Sequence, residues 1–429
     1  MAEGERLMPQ RVLLFATTTG YQTRTFGEAA ERLGVDLVFA TDRCHMIEDP
    51  WRDAAIPIRF HDEEASLQAV MSAAADRPVH GVLAVGDRPT VIASRVAQAL
   101  ELPWHLPQAA DVARNKLRTR ERLREAGLPV PWFQALAIHD EPLALRPESL
   151  TYPCVLKPAA LSASRGVMRA NDPASLRAAV DRLRTLLRAP DIRAERDRAH
   201  ETALVEGFIP GREFAVEAVL HHGEMHMLAI FDKPDPLDGP FFEETIYVTP
   251  PDLPPERQAD ILSVVSRAAA AIGLSHGPIH AECRVNADGV FVLEVAARPI
   301  GGLCARALRF DPGQVPLEEL LLRQALGESP APWQREDCAA GVMMIPIPRR
   351  GVLRGVECVD DSRAVPHVDD VRITAKPDQV LLPLPEGGSY LGFIFARADR
   401  ASEVERALRL AHRRLHFAID PEFVVRPPA

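Results

Sequence analysis

Lysine is nearly missing from this chain. Of its 50 basic residues only four are Lys, namely Lys116, Lys157, Lys233 and Lys376. Arg serves well for surface charge, whereas a compact, mobile ammonium is wanted where a point charge meets phosphate. The four survivors are therefore informative. Three of them are followed by Pro, which fixes the local chain direction. Lys116 and Lys157 read as functional, while Lys233 and Lys376 stand open between a surface and a functional role.

Other absences exclude whole classes. The six Cys include no C-x-x-C pair, so neither a disulfide framework nor a zinc knuckle is indicated. Cys154, Cys283 and Cys304 read as small buried hydrophobes. No stretch approaches the roughly 18 uncharged apolar residues of a membrane span. The first residues, MAEGERLMPQ, lack the basic start and apolar run of a secretory signal. With a net charge of −10 and no dense basic stretch, nucleic acid is a poor partner. There is no G-x-G-x-x-G and no G-x-x-x-x-G-K-[ST], so neither a dinucleotide fingerprint nor a P-loop is present. These exclusions leave a cytoplasmic protein with no membrane and no nucleic-acid partner.

At 429 residues the chain is too long for one compact core, and two or three domains are expected. Residues 11–110 alternate strands with helices: helices are expected over 23–33, 64–75 and 88–100, between the strands VLLFATT, VDLVFA and GVLAVGD. That is a small parallel α/β domain. Its strand ends carry TTTGYQ and GDRPT, positions that commonly hold ligands. Asp111 is expected to cap a helix ending at Gly127. Helices over 173–189 and 255–272 alternate with strands YPCVLKP, ALVEGFI, EFAVEAVL, IHAECRV and VFVLEVA. Residues 329–337 read as a linker. The last ninety residues contain several strands, including VRITAK and YLGFIFARA, and end in an amphipathic helix with Val404, Ala407, Leu408, Ala411 and Leu415 on one face.

Three segments carry chemistry. In VLKPAALSASRGV a strand delivers Lys157, and the small residues Ser162 to Gly166 follow at once; such residues let N–H groups and hydroxyls close around phosphate oxygens. In VEGFIPGREF, Glu206 ends an apolar strand and Glu213 lies beyond a Pro-Gly turn, where a hinge can meet an adenine edge and a carboxylate can accept both ribose hydroxyls. The third segment, HAECRVNADGVFVLEVAARPIGG, reads as a hairpin with the three-residue loop Ala287-Asp288-Gly289 and Gly289 in a bulge. That register pairs Asn286 with Val290 and sets Glu282 directly opposite Glu294. Two carboxylates so placed repel unless a cation bridges them, and Mg²⁺ is the natural one. A slipped register would put them on opposite faces. His280 and Arg284 share the face of Glu282, with a core or surface role expected for His280.

In order and spacing these segments resemble the ATP-grasp superfamily over roughly residues 1–325. The resemblance implies an N-terminal α/β domain over 1–112, an ATP-grasp domain over 113–328 with a lid subdomain at about 150–205, and a small α+β domain over 338–429. It implies that Lys116 and Lys157 contact ATP phosphates and that the loop holding Ser162, Ser164 and Gly166 is a mobile phosphate loop. Glu206, Gly207, Phe208 and Ile209 are to hold adenine, Glu213 ribose, and Glu282 and Glu294 Mg²⁺, with Mn²⁺ as an alternative. The stretch from FDKPDPLDGPFFEETIYVTP onward and the segment after Gly341 look like the L-amino acid ligases, which make dipeptides from unprotected amino acids. That likeness gives Arg298 a catalytic role beside Lys157 and a place with Glu244 and Tyr247 in the substrate pocket. There are departures: Ala296 stands where many members have Asn, the phosphate loop has one Gly, and Tyr247 stands where some L-amino acid ligases have His.

The expected function is that of an ATP-dependent carboxylate–amine ligase. A carboxylate attacks the γ-phosphorus to give an acyl phosphate and ADP, and an amine then displaces phosphate. Both substrates are small molecules, amino acids by resemblance. Another ATP-grasp reaction of the purine-pathway or carboxylase type is the first alternative, and a catalytically silent nucleotide-binding regulator is the second. The sequence leaves a homodimer open.

Overall fold

A computed structural model describes residues 9–17, 22–42, 55–139 and 145–422. The N-terminal part is a parallel sheet in the order β3-β2-β1-β4, from β1 (Arg11–Ala16), β2 (Asp36–Thr41), β3 (Ile56–Pro57) and β4 (Gly81–Val85). Its central strands β1 and β4 are buried throughout, as a parallel sheet covered by helices requires. The covering helices are α1 (Thr23–Leu33), α2 (Glu63–Ala75) and α3 (Thr90–Ala99). The middle of the TTTGYQ loop and Cys44 lie outside the described residues.

The single helix expected after Asp111 is two. Asp111 lies inside α4 (Pro107–Ala113), and Asn115 caps α5 (Lys116–Glu125) by accepting from the Arg118 N–H at 3.1 Å. The cap places Lys116 at the first helical position, where its N–H has no helical partner and donates to Ala159 O at 2.8 Å.

A four-stranded antiparallel sheet follows, ordered β5-β8-β6-β7, from β5 (Phe133–Ala137), β6 (Cys154–Pro158), β7 (Met168–Ala170) and β8 (Thr202–Gly207). Two helices accompany it, α6 (Pro173–Leu187) and α7 (Pro190–Glu195). α6 begins with a capping box: Asp172 accepts from the Ser175 N–H at 2.8 Å while Ser175 Oγ accepts from the Asp172 N–H at 3.1 Å. Leu176, Val180, Leu183 and Leu187 recur at helical spacing and pack on the sheet. Truncating one of these, Leu183→Ala, should cost about 2–5 kcal/mol.

The largest sheet has eight antiparallel strands ordered β13-β12-β9-β10-β11-β17-β21-β19. Its first five in space come from β9 (Arg212–His221), β10 (Glu224–Lys233), β11 (Ile246–Thr249), β12 (Gly277–Asn286) and β13 (Gly289–Ala296), with α8 (Pro255–Ile272) across one face. A small sheet of β14 (Arg309–Asp311), β15 (Val315–Pro316) and β16 (Gln334–Arg335) flanks α9 (Leu317–Ala325). The C-terminal residues supply β17 (Ala339–Ile345), β18 (Gly351–Glu357), α10 (Val359–Arg363), β19 (Val368–Ile373), β20 (Val380–Leu381), β21 (Gly392–Ala398), α11 (Ala401–Arg414) and β22 (His416–Asp420). Several features differ from the sequence reading. β5, β7, β10 and β11 are not among the expected strands, residues 329–337 contain β16 rather than a bare linker, and α11 is followed by β22, which pairs with β18. The face of α11 foreseen as apolar is buried at Val404, Ala407, Leu408, Ala411 and the adjoining Leu415. β11 pairs with β17 over four residues and with β10 at one, so the C-terminal strands continue the same sheet.

Candidate active site

Alternation along β12 sends Ile279, Ala281 and Cys283 into the core beneath α8 and turns His280, Glu282 and Arg284 to the opposite face. Neighbouring strands add to that face in register. β9 sets Glu213 beside Arg284 and Glu217 beside His280, and β10 sets Lys233 beside Glu213. His280 is thus a cleft residue, not the core or surface residue expected.

Glu282 does pair with Glu294, but by another route than the one foreseen. The hairpin loop has two residues, not three: Asn286 pairs with Gly289, and the Asp288 N–H donates to Asn286 Oδ1 at 2.8 Å. That turn alone would set Glu282 against Leu293. A bulge next to the Cys283–Val292 pair absorbs Leu293 and restores Glu282 to Glu294. Leu293 and Glu294 therefore both line the cleft, where strict alternation would deliver only one of them.

One cavity of about 300 Å³ lies between this face, the β5-β8-β6-β7 sheet and the loop after β4. Lys116, Lys157, Ser162, Ser164, Glu206, Gly207, Phe208, Ile209, Glu213, Glu244, Tyr247, Glu282, Glu294 and Arg298 all line it. Gly166 does not. Its N–H donates to Pro385 O at 2.9 Å, and at φ +75 a side chain there would press on Leu183 at 3.0 Å. Glycine at 166 answers a packing need.

Basic side chains organise the cavity. Lys233 is buried and donates to Glu213 at 2.9 Å, Glu244 at 2.5 Å and Glu282 at 2.8 Å, with its Nζ 4.9 Å from the centre of the Tyr247 ring. Burial opposes its charge, but three carboxylates outweigh that and raise its pKa well above the ordinary value. Lys157 reaches Glu206 Oε1 at 2.6 Å, and Arg120 holds the same carboxylate at 2.6 and 3.2 Å. Burial would push Glu206 up, yet the two cations bring it down to about 2. Lys116 donates to Leu161 O at 2.7 Å and stands 3.9 Å from Glu294. Arg298 donates to both oxygens of Asp87, at 2.9 and 3.3 Å. Asp87 belongs to the GDRPT loop, so the N-terminal domain holds a residue of the cleft.

The carboxylates and His280 respond to these neighbours. For Glu282, burial is overcome by Lys233 and His280, and its pKa lies well below the usual carboxylate range. Glu244 is pushed up to about 8 by burial and by the Glu282 charge, against the pull of Lys233. His280 hydrogen-bonds Glu217, which overcomes burial and lifts the imidazole to about 10. Oxygens of Glu282 and Glu294 and a nitrogen of His280 lie within 4.8 Å of one another. Two hard oxygen donors facing a cavity lined by ammonium groups fit one Mg²⁺ shared with phosphate oxygens. Ala296 adds no oxygen.

The loop after β6 is strained. Leu161, Ala163 and Ser164 have φ of 102, 54 and 54°, a region that costs a non-glycine residue roughly 1–2 kcal/mol. Contacts with the C-terminal residues hold it there. Arg165 Nε donates to Glu386 O at 2.7 Å, and Arg182 on α6 holds the Glu386 carboxylate at 2.5 and 2.8 Å.

Sequence reasoning missed Arg120, Asp87 and Glu217 as members of the site. Arg120 carries no signal among so many arginines. Asp87 had a partial one, the strand-end position of its loop. Lys233 had the signal of rarity, without the strand that would have aimed it.

Three family profiles match this chain: the ATP-grasp N-terminal domain over residues 27–104, the ATP-grasp domain over 150–307, and the L-amino acid ligase C-terminal domain 2 over 343–420. The crystal structure of an L-amino acid ligase from Bacillus licheniformis superposes with a TM-score of 0.81 at 27% identity, covering 96% of this chain and 100% of that one. An uncharacterized protein of Sinorhizobium fredii is 27% identical over 348 residues, 80% of this chain and 69% of its own length. Carnosine synthase 1 of Mus musculus is 25% identical over 328 residues, 71% of this chain but 38% of that enzyme. The chain belongs to the ATP-grasp superfamily. Within it the protein is a ligase that forms carbon–nitrogen bonds and resembles the L-amino acid ligases. No helix among the described residues is long and apolar enough to cross a membrane.

Proposed function

We propose that the protein joins a carboxylate to an amine, both amino acids, through an acyl phosphate, releasing ADP and phosphate. The observation that carries this reading is one cavity with two chemistries. Lys116, Lys157, Arg298 and the Glu282–Glu294 pair line it together with Glu244, Tyr247, Cys304, Met344, Tyr390 and Phe393. The first group suits phosphate transfer, and the second is a polar handle among apolar and aromatic walls.

In this reading Lys116 and Lys157 neutralise phosphate oxygens, and the loop at Ser162 to Ser164 closes over them with its N–H groups. Phe208, Ile209 and Leu293 offer apolar surface to the adenine, and Glu213 accepts from the ribose. Mg²⁺ held by Glu282 and Glu294 would offset the charge of the transferred group. Arg298, oriented by Asp87, faces the developing acyl phosphate; a preorganised cation there acts without reorganisation in the transition state. Glu244 accepts the ammonium of an amino-acid substrate, and that cation compensates the burial that now raises its pKa. Closure of the loop keeps water from the acyl phosphate.

The test is a screen of amino-acid pairs for amine-dependent release of ADP and phosphate, with products read by mass spectrometry. Dipeptide formed in step with ADP is the expected result. Stoichiometric AMP and pyrophosphate would sink the reading, and ADP release that requires bicarbonate or formate in place of an amino acid would favour the purine-pathway or carboxylase type.

A further inference from the structure

A second cluster of ligating side chains lies at the far end of β9, away from the cleft. His221 and Glu224 close the β9–β10 hairpin, with His222 and Gly223 as its two-residue loop. Both loop residues have positive φ, 52 and 89°, the conformation of a type I′ turn. Asn, Asp or Gly fills the first loop position at least cost, yet His stands there. The Gly223 N–H donates to Ser275 O at 2.7 Å and docks the turn against the segment before β12. That segment brings up His276, and the rings of His221, His222 and His276 lie 4.6–5.2 Å apart, centre to centre. One ring nitrogen from each lies within 4.8 Å of the other two. His226 follows on β10, its ring 6.4 Å from that of His221. His221 Nδ1 is buried and meets no hydrogen-bonding partner, and the His222 N–H approaches His276 Nδ1 at a long 3.4 Å.

We propose that His221, His222 and His276 form a metal site for a divalent ion of the zinc class, with His226 or water completing the coordination. Three imidazoles without a carboxylate select Zn²⁺, Ni²⁺ or Cu²⁺ and reject Mg²⁺ and Ca²⁺, which require oxygen. The site is therefore chemically distinct from the Glu282–Glu294 pair. Imidazole binds metal in its neutral form. Bound metal would clip the β9–β10 turn to the base of β12. Both strands continue to the Glu217–His280 pair, four residues and about 13 Å farther along each. The effect expected is on the stability of this strand pair, not on the chemistry of ligation.

Zn²⁺ binding to the full chain, carrying no histidine tag, tests this by calorimetry in millimolar Mg²⁺, which occupies the oxygen site. The wild type should bind one equivalent and melt at a higher temperature with it. His222→Asn keeps a residue suited to the turn and removes one ligand. Losing a residue that merely orients a ligand costs 10–100-fold in affinity, so this change should weaken binding by roughly tenfold or more. Glu282→Gln should leave binding unchanged. No saturable binding in the wild type, equal affinity in His222→Asn, or loss of the equivalent in Glu282→Gln would each overturn the proposal. Ligase turnover of His222→Asn without zinc should equal that of the wild type, so failure of the functional reading is distinguishable from failure here.

Discussion

Glu282 accepts a hydrogen bond from Lys233 at 2.8 Å, so one of the two carboxylates expected to need a cation already has one. The like-charge pair at Glu282 and Glu294 is not a bare repulsion. Glu282 is compensated from β10, while the nearest Lys to Glu294 is Lys116, at 3.9 Å. The two positions should therefore behave differently on substitution. Glu294→Gln should leave the melting temperature of the metal-free protein unchanged or slightly raised. Glu282→Gln should lower it, because a buried ammonium loses a partner. Activity should fall in both by roughly 10²–10³-fold if each carboxylate serves transition-state electrostatics. Normal turnover with unchanged Mg²⁺ dependence in either variant would remove that carboxylate from the metal site.

Lys233→Met should destabilise the free protein strongly. Glu213, Glu244 and Glu282 would lose their shared ammonium, and removing one partner from a buried ion cluster costs about 3–5 kcal/mol. Lys233→Arg should rescue poorly, since a planar guanidinium cannot point one charge at three carboxylates that come from β9, β12 and the loop before β11. Melting curves of both variants decide this. Equal stability of Arg and wild type would make the position a generic cation site.

The strained loop after β6 is tied to the C-terminal residues through Glu386, whose carbonyl accepts from Arg165 and whose carboxylate accepts from Arg182 on α6. Glu386→Gln should weaken that tie. Amide hydrogen exchange over residues 161–166 should rise without nucleotide and fall again when ATP and Mg²⁺ close the loop. Exchange that ignores both the substitution and saturating nucleotide would deny the loop a lid function.

Tyr247 donates to Glu282 at 3.3 Å as well as lying beside the Lys233–Glu244 contact. Its influence should reach beyond substrate choice. Tyr247→Phe should raise the Mg²⁺ requirement modestly while changing the ranking of amino-acid substrates more. Steady-state kinetics over both variables separates the two effects, and an unchanged ranking would place the substrate pocket elsewhere.

Glu318 is buried in the first turn of α9, with Oε2 lacking a partner. Burial pushes its carboxyl up to about 7 from an ordinary 4.5. The folded state thus holds this proton more tightly than the unfolded chain. Its contribution to stability is whole below about 4.5 and is lost as pH rises through 7. Glu318→Gln should flatten that part of the pH profile and raise the melting temperature at pH 8 more than at pH 5. A parallel profile for the two proteins would show that Glu318 ionises normally.

Much of this arrangement was legible because it depends on local pattern. Residues 255–272 form a helix over the span read from the sequence, and β12 faces His280, Glu282 and Arg284 one way by simple alternation. What was not legible depended on tertiary compensation. The two-residue turn at Ala287 and Asp288 and the bulge at Leu293 shift the register by one residue each, in opposite senses. The sequence reading reached the right pair through the wrong loop. β10 escaped because its N-terminal half, Glu-Met-His-Met, is neither apolar nor clearly alternating, and only its pairing with β9 makes it a strand. Arg120 was invisible as a member of the site, and Asp87 legible only from the strand-end position of its loop, because each acts through a partner far away in sequence, Glu206 and Arg298.

The joining of β11 to β17 has a consequence for synthesis. β11 touches β10 at one residue pair and β17 at four, so Tyr247, next to the Glu244 contact, is held in place by strands made some ninety residues later. A chain emerging from the ribosome can pair β9, β10, β12 and β13 while the wall that carries Tyr247 still lacks most of its strand pairing. Tyr390 and Phe393 arrive later still. The nascent protein therefore completes the end of the cavity lined by Tyr247, Tyr390 and Phe393 only when translation is almost over. A release shortly after residue 338 would leave Ile246–Thr249 as a buried-type strand on an open edge, prone to pairing with another chain.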